Sequence, residues 1–349
     1  MNKPNTEHFK IWEKPKPSAI GNTVEEFLQI LDGPALIIVP GTGNEEIRAV
    51  CTLLHGNEPS GTRAIYHWLK HGITPACTML FFICSVKTAL QPPGFYYRQL
   101  PGKRDLNRCF RPPFSDDEGK IAEELLALIA YFKPTCILDI HNTSGKGPAF
   151  AVSTNSTPLQ IVLASFFTQR MIVTDLRLGA LSDLNSDTCP IIAIECGGAR
   201  EDCAHDLALD GLSRFIAASA LGDIPTHTAT FELLHNPVRV ELINDLSIDY
   251  LSHKNPQVDM TLNLSIEEHN FGIVKPFHQL GWTGKPVSQC LQAINSRGEN
   301  VIDQIVEVRD GELYPRRPIK LFMATTNAVI ARSDCLFYVV DIDGKEITC

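Results

Sequence analysis

Apolar positions along the first two thirds of this 349-residue chain follow two alternating rhythms. Short runs at 35–39, 49–54, 78–84, 135–140 and 191–194, mostly rich in β-branched residues, predict buried strands. Between them, 59–71, 118–132, 158–169 and 201–221 carry apolar residues three and four apart, the repeat of one helix face. A further helix is predicted where Thr23-Val-Glu-Glu26 offers a capping box and Val24, Phe27, Leu28 and Leu31 share one side. Strands alternating with helices define an α/β domain whose mainly parallel or mixed sheet is covered on both faces.

Near Gly222 the rhythm changes. Short extended runs at 230–234, 238–243, 271–276, 301–308, 319–324, 328–331 and 336–341, separated by Gly, Pro, Asn and Asp, predict a smaller, mostly β domain. The expected division is 1–224 for the α/β domain and 225–349 for the second. Internal repeats, heptads and low-complexity tracts are not evident, so solenoids and coiled coils have no basis here.

Charge narrows the choice of ligand. With 31 Lys and Arg against 40 Asp and Glu, the net charge of -9 argues against nucleic acid. A small anionic substrate is still allowed, because one or two arginines in a pocket suffice for a carboxylate. The 11 cysteines are scattered, with Cys84, Cys136 and Cys196 in or beside apolar runs, and no Cys-x-x-Cys occurs. Buried free thiols are therefore expected rather than disulfides or a zinc ribbon. The opening MNKPNTEHFKIWEKPKP lacks the apolar core of a signal peptide and no apolar run approaches spanning length, so a cytoplasmic location is expected, with no membrane partner.

Four segments carry candidate chemistry. His55 and Glu58, within HGNEPSG at 55–61, follow a predicted strand and open a predicted helix, a spacing that suits zinc but arises often by chance. His141, within DIHN at 139–142, ends another strand, where open α/β sheets bind ligands. Asp139 is on the same strand face, and either holds the other nitrogen of His141 or caps the next loop. Arg104, Asn107 and Arg108, within RDLNR at 104–108, could clamp a substrate carboxylate or be solvated. Glu195, within IECGG at 194–198, tips a very apolar strand and is either a structural ion-pair partner or a general base.

Together and in this order, these motifs resemble those of the succinylglutamate desuccinylase/aspartoacylase family, relatives of the zinc carboxypeptidases, over about residues 35 to 222. The resemblance implies a zinc carboxypeptidase-like fold and one Zn2+ per chain on His55, Glu58 and His141. It further implies a substrate carboxylate held by Asn107 and Arg108, with Glu195 as the catalytic carboxylate. Three protein ligands leave a position open on zinc, as catalytic sites do. The guanidinium that polarises the substrate carbonyl is assigned to Arg98, with Arg104 as its rival.

The implied activity is hydrolysis of the amide in an N-acylated amino acid or similar small carboxylate, with homo-oligomerisation possible. Aspartoacylase-like members carry an arginine and a tyrosine shortly before the catalytic glutamate, but 181–188 here contains neither, which argues against N-acetylaspartate. Arg177, further upstream, reads as a polar residue at a strand edge. Two alternatives stand beside the deacylase: a zinc carboxypeptidase acting on short peptides, and a zinc-stabilised binding protein without turnover. The histidines at 67, 71, 235, 253, 269 and 278 and the thiols of Cys84, Cys109 and Cys196 need no function.

Overall fold

The computed structural model describes residues 6–43, 46–222, 231–243, 246–333 and 335–348. The chain divides into two compact units, one of Met1–Asn142, Ala149–Met171 and Leu176–Phe231, the other of Thr143–Pro148, Ile172–Asp175 and Glu232–Cys349. The expected boundary at 224–225 lies outside the described residues.

Wholly or in part in the first unit are strands β1 (Lys10–Glu13), β2 (Ala35–Val39), β3 (Ile47–Thr52), β4 (Thr78–Ile83), β5 (Ile137–Thr143), β6 (Phe150–Ser153), β7 (Arg170–Val173) and β8 (Ile191–Gly198). Its helices are α1 (Val24–Leu31), α2 (Ser60–His71), α3 (Val86–Ala89), α4 (Asp117–Phe132), α5 (Pro158–Ser165) and α6 (Asp202–Ala217). The sheet runs in the order β1-β2-β4-β3-β5-β8-β6-β7.

Pairing is parallel between β1 and β2, β3 and β4, and β3 and β5, but antiparallel between β2 and β4 and between β6 and β8. The sheet is therefore mixed. Among the described residues, no helix separates β2 from β3 or β5 from β6, and without a crossover segment a chain cannot return to run parallel.

Alternation along β3 sends successive side chains to opposite faces. Ala49 and Cys51 join Leu36, Leu80 and Phe82 in one buried cluster with Ala122, Leu125 and Leu128 of α4. On the other face, Trp68 of α2 packs on Phe81 with ring centroids 5.6 Å apart. There the fully buried Arg48 donates to the carbonyls of Phe215 and Ala218 at 3.1 and 2.7 Å. That guanidinium caps the end of α6, which stops at Ala217 rather than continuing to the expected 221.

Other boundaries follow local hydrogen bonding. Thr23 caps α1, its Oγ1 accepting from the Glu26 amide at 3.1 Å, but the Glu26 carboxylate accepts from Asn22 instead of completing the box at Thr23. Strands β1, β6 and β7, which the hydrophobic pattern did not single out, are four residues each.

The second unit is mostly β. Its strands are β9 (Glu232–His235), β10 (Val238–Leu242), β11 (Ile248–Leu251), β12 (Met260–Asn263), β13 (Gly272–Val274), β14 (Gly281–Thr283), β15 (Leu291–Gln292), β16 (Val306–Arg309), β17 (Glu312–Pro315), β18 (Ile319–Phe322) and β19 (Phe337–Val340). Two five-stranded sheets, β13-β18-β19-β10-β15 and β11-β12-β14-β17-β16, share a core that includes Val240, Leu262, Leu313, Leu321 and Phe337.

One expected strand, 328–331, is helical throughout, and another, 301–308, is helical over its first half before β16 begins. Residues 302–305 and 328–333 form short helices, because the Asn300 and Asn327 side chains accept from the amides of Ile302 and Val329 and start a helical turn. Among the described residues, no helix is long and apolar enough to cross a membrane. All cysteines described are free thiols.

Candidate metal centre and active site

The site lies at the end of the sheet where β3 gives way to the segment before α2. Leu53, fully buried, takes the left-handed conformation with φ 59°, a costly one for a branched side chain. It is held there by Ser85, whose amide donates to the Leu53 carbonyl at 2.7 Å and whose hydroxyl donates to that of Leu54 at 3.0 Å. This turn delivers His55 and Glu58 beside the end of β5.

Two glycines of the HGNEPSG motif permit the close packing. A Cβ on Gly61 would lie 2.2 Å from Thr52 Oγ1 and 2.9 Å from Ile140 Cβ, so only glycine lets the start of α2 sit directly on β3 and β5. A Cβ on Gly56 would meet Thr88 Cγ2 at 2.5 Å and the Tyr97 carbonyl at 2.8 Å, and the Gly56 amide donates to Arg98 O at 2.9 Å.

Within this frame the buried side chains of His55, Glu58 and His141 converge. Glu58 Oε1 lies 2.8 Å from His55 Nδ1, and Oε2 lies 2.7 Å from His141 Nδ1. The two rings are 5.3 Å apart at their centroids. Each histidine thus turns Nδ1 toward a shared carboxylate and Nε2 away from it.

The outward nitrogens meet carboxylates of their own. His55 Nε2 lies 3.0 Å from Asp105 Oδ1. His141 Nε2 is 2.7 Å from Asp139 Oδ2, an ion-pair distance, but poor alignment leaves both atoms without a hydrogen bond. Of the two readings open for Asp139, its place is thus beside the histidine ring. Burial would push the His141 imidazole down, but Asp139 and Glu58 outweigh it and raise it well above its ordinary value. Burial likewise pushes the Glu58 carboxyl up, yet the two imidazoles hold it well below the usual carboxylate range.

Asp105 has two further tasks. Its Oδ1 accepts from the Asn107 amide at 2.8 Å, capping the single turn Leu106–Arg108. Its Oδ2 accepts from Arg98 Nε and Nη2 at 3.1 and 2.9 Å. Arg98 Nη1 is also 3.7 Å from Glu58 Oε1, which places this guanidinium against the cluster.

Arg104 is committed elsewhere. Its Nε and Nη2 bind the two Asp116 oxygens at 2.5 and 2.6 Å, and Nη2 also donates to Pro113 O. Asp116 caps α4 through the Gly119 amide, so Arg104 is engaged at that helix start, whereas Arg98 stands against the cluster. Asn107 is buried, and its Oδ1 accepts from the Leu181 amide at 3.0 Å, leaving its Nδ2 donors for a ligand. Arg108 spends Nη1 on the Asn107 carbonyl at 2.8 Å. Arg177 donates to the Asp183 carbonyl and so pins its own loop.

Glu195 stands on β8, opposite Phe150 of β6. Its Oε2 is shut off from solvent and has no hydrogen-bond partner among the described residues. Burial pushes its carboxyl up to about 7; the Glu58 charge adds to that push, while His141, His55 and Arg98 oppose it. An unpaired carboxyl poised near neutrality beside two imidazoles can take up or release a proton.

Sequence reasoning found the three converging residues and Glu195 but gave Asp105 no role. The signal was present: an aspartate directly before the Leu-Asn-Arg turn is a natural cap. Also missed was the hydrogen-bonded set of Ser60, Asn142 and His205, which no motif spacing reveals.

Fold and site together define a mixed α/β protein with a buried His–Glu–His cluster at the sheet's ligand-binding end. By structure, the chain is similar to succinylglutamate desuccinylase from Chromobacterium violaceum (TM-score 0.53, 15% identity, 85% of each chain covered). It is also similar to murine aminoacylase 3 (TM-score 0.53, 18% identity, 85% of this chain and 95% of that one). A third similar structure is the product-bound ectoine utilization protein EutE from Ruegeria pomeroyi (TM-score 0.52, 15% identity, 87% of each chain). The chain thus has the succinylglutamate desuccinylase/aspartoacylase fold that the sequence motifs implied. No family model and no curated protein matches it by sequence.

Proposed function

We propose that this chain is a zinc-dependent amidohydrolase of the succinylglutamate desuccinylase/aspartoacylase family that removes the acyl group from an N-acylated amino acid or similar small carboxylate. The observation that carries this reading is the convergence of two Nδ1 atoms and one carboxylate in a buried cluster, with an unpaired glutamate near it. Two imidazoles and a carboxylate suit a zinc-type ion, and three protein donors are the number a catalytic site uses. A divalent ion held by His55, Glu58 and His141 would supply Lewis acidity toward a carbonyl and make water more acidic. The names of the similar structures, a desuccinylase and an aminoacylase among them, support amide hydrolysis as the chemistry.

The protein's own groups fill the remaining tasks. Glu195 takes a proton from the attacking water and passes it to the leaving amine, a role for which a carboxyl near neutrality is matched. Arg98, already against Glu58, stabilises the oxyanion that develops on the scissile carbonyl. Arg108 and the Asn107 amide hold the substrate carboxylate. Asp105 fixes the outward nitrogen of His55, and the Asp139 carboxylate stands beside that of His141 as a charge partner. The free thiols fit a reducing, cytoplasmic compartment.

The test is hydrolysis of a panel of N-acetyl, N-succinyl and N-formyl amino acids beside short peptides, with zinc-loaded and chelated protein. Metal-dependent release of free amino acid from one acyl class is the expected result. Trimming of peptides would make the chain a carboxypeptidase instead. Zinc bound at one per chain with no turnover of any substrate would favour the binding protein.

A further inference from the structure

Asn142 follows His141 directly and is buried with every polar atom of its side chain engaged. Its Oδ1 accepts from the Ser60 amide at 3.0 Å, while its Nδ2 donates to Ser60 Oγ at 2.7 Å and to the Gly197 carbonyl at 3.0 Å. The orientation of the amide is fixed by this set. A flipped amide would set its nitrogen against the Ser60 N–H and its oxygen against the Gly197 carbonyl, two repulsive contacts.

The three anchors stand beside the three parts of the proposed centre. Ser60 lies two residues after Glu58, Asn142 one after His141, and Gly197 two after Glu195. One side chain therefore ties the start of α2, the end of β5 and the end of β8 together. The tie continues outward: Ser60 Oγ, which accepts from Asn142, also hydrogen-bonds with His205 Nδ1 of α6 at 2.8 Å. Among the described residues, Asp139 by contrast approaches only His141, and Glu195 Oε2 has no hydrogen-bond partner.

We infer that Asn142 is a positioning residue that sets the distance between the Glu195 carboxylate and the His55–Glu58–His141 cluster by locking Gly197 to Ser60. This rests on the reading of Glu195 as the proton-transfer group. The lock matters because no hydrogen bond among the described residues holds Glu195 Oε2, so its place depends on where β8 ends. A misplacement of about 1 Å is enough to cost on the order of a hundredfold in rate.

The experiment compares wild type, Asn142→Ala, Asn142→Asp and Ser60→Ala as full-length, zinc-loaded proteins. Asn142→Ala is expected to retain one zinc per chain and to lower kcat by about 10- to 100-fold with KM changed less than about threefold. Ser60→Ala keeps the Gly197 bond and is expected to lose less than Asn142→Ala. Asn142→Asp keeps the acceptor but loses both donors, and should behave like the alanine variant. In a Glu195→Gln background, Asn142→Ala should cost nothing further, because it acts through Glu195.

Equal losses in the two backgrounds would overturn the inference, as would loss of zinc from Asn142→Ala, since either would place its action elsewhere. Crystal structures of wild type and Asn142→Ala give a readout independent of turnover. The expected result is a displaced Glu195 carboxylate with His55, Glu58 and His141 in place. An unmoved Glu195 would overturn the inference even if the protein hydrolysed nothing on the panel, in which case the proposed function would also fall, for a separate reason.

Discussion

Asp105 Oδ1 lies 3.0 Å from His55 Nε2 while the opposite nitrogen of the same ring faces Glu58. A carboxylate in this position fixes which nitrogen of the ring is available to a metal and makes that nitrogen a better donor. Burial pushes the Asp105 carboxyl up, but hydrogen bonding to His55 and the charges of His55, Arg98 and Arg108 hold it well below its ordinary value. Asp105→Asn is therefore expected to weaken zinc binding by about 10- to 100-fold. Competition against a chromogenic chelator measures this; unchanged affinity would mean the contact does not orient His55.

Legibility in the sequence followed the physical range of each signal. Strands β2 to β5 and β8 were visible because they are buried and continuously apolar, whereas Lys10–Glu13 is a half-exposed edge strand with charges at both ends. Residues 328–331 look like a strand by composition, yet the Asn327 side chain starts a helix there. Within the site, the metal-ligand candidates stood out because HGNEPSG, RDLNR, DIHN and IECGG occur together and in order, although the His55/Glu58 spacing alone arises often by chance. Asp105 did not, because its partner His55 is 50 residues away and nothing local announces the contact. Arg104 and Arg98 are both arginines in one loop, and only the fold shows that Asp116 takes the first and Asp105 the second.

That division between the arginines has separable consequences. Arg98→Ala is expected to lower kcat/KM by about 100-fold or more, as loss of an oxyanion donor does. Arg104→Ala should leave kcat/KM within about twofold and cost at most about 1 kcal/mol of stability, since its ion pair is substantially exposed. Steady-state kinetics and urea unfolding of both variants decide the matter. The reverse pattern would return the carbonyl-polarising role to Arg104.

Gly61 carries a purely steric demand. Its missing Cβ is what lets α2 begin within contact of Thr52 and Ile140. Because Thr52 Oγ1 is itself bonded to the Ile140 carbonyl, the clash cannot be relieved by a simple side-chain rotation. Gly61→Ala is expected to cost about 1–3 kcal/mol through overpacking, with a lowered Tm measured by calorimetry. Since the displaced helix start lies three residues from Glu58, zinc affinity should fall as well. A variant with wild-type Tm would show that the start of α2 moves freely.

The raised Glu195 carboxyl sets the sign of two pH dependences. Proton transfer by Glu195 requires the carboxylate, so kcat/KM should rise with pH along an acid limb and then level off. A bound dication favours the ionised form, so the limb of the zinc-loaded enzyme should fall below about 7, and Glu195→Gln should lower turnover by about 100- to 10,000-fold to a measurable residue. Stability of the chelated protein runs the other way. The folded state holds this proton up to about 7, whereas the unfolded chain releases it near 4.5, so the contribution is fully present below 4.5 and is lost as pH rises toward 7. Relative to wild type, Glu195→Gln should therefore gain stability across that window, by on the order of 3 kcal/mol at its top. Urea unfolding of both proteins at pH 4.5, 6 and 8 reads the difference. A gap that stays constant with pH would mean that Glu195 is ionised throughout, and would remove the basis for its action as a base poised near neutrality.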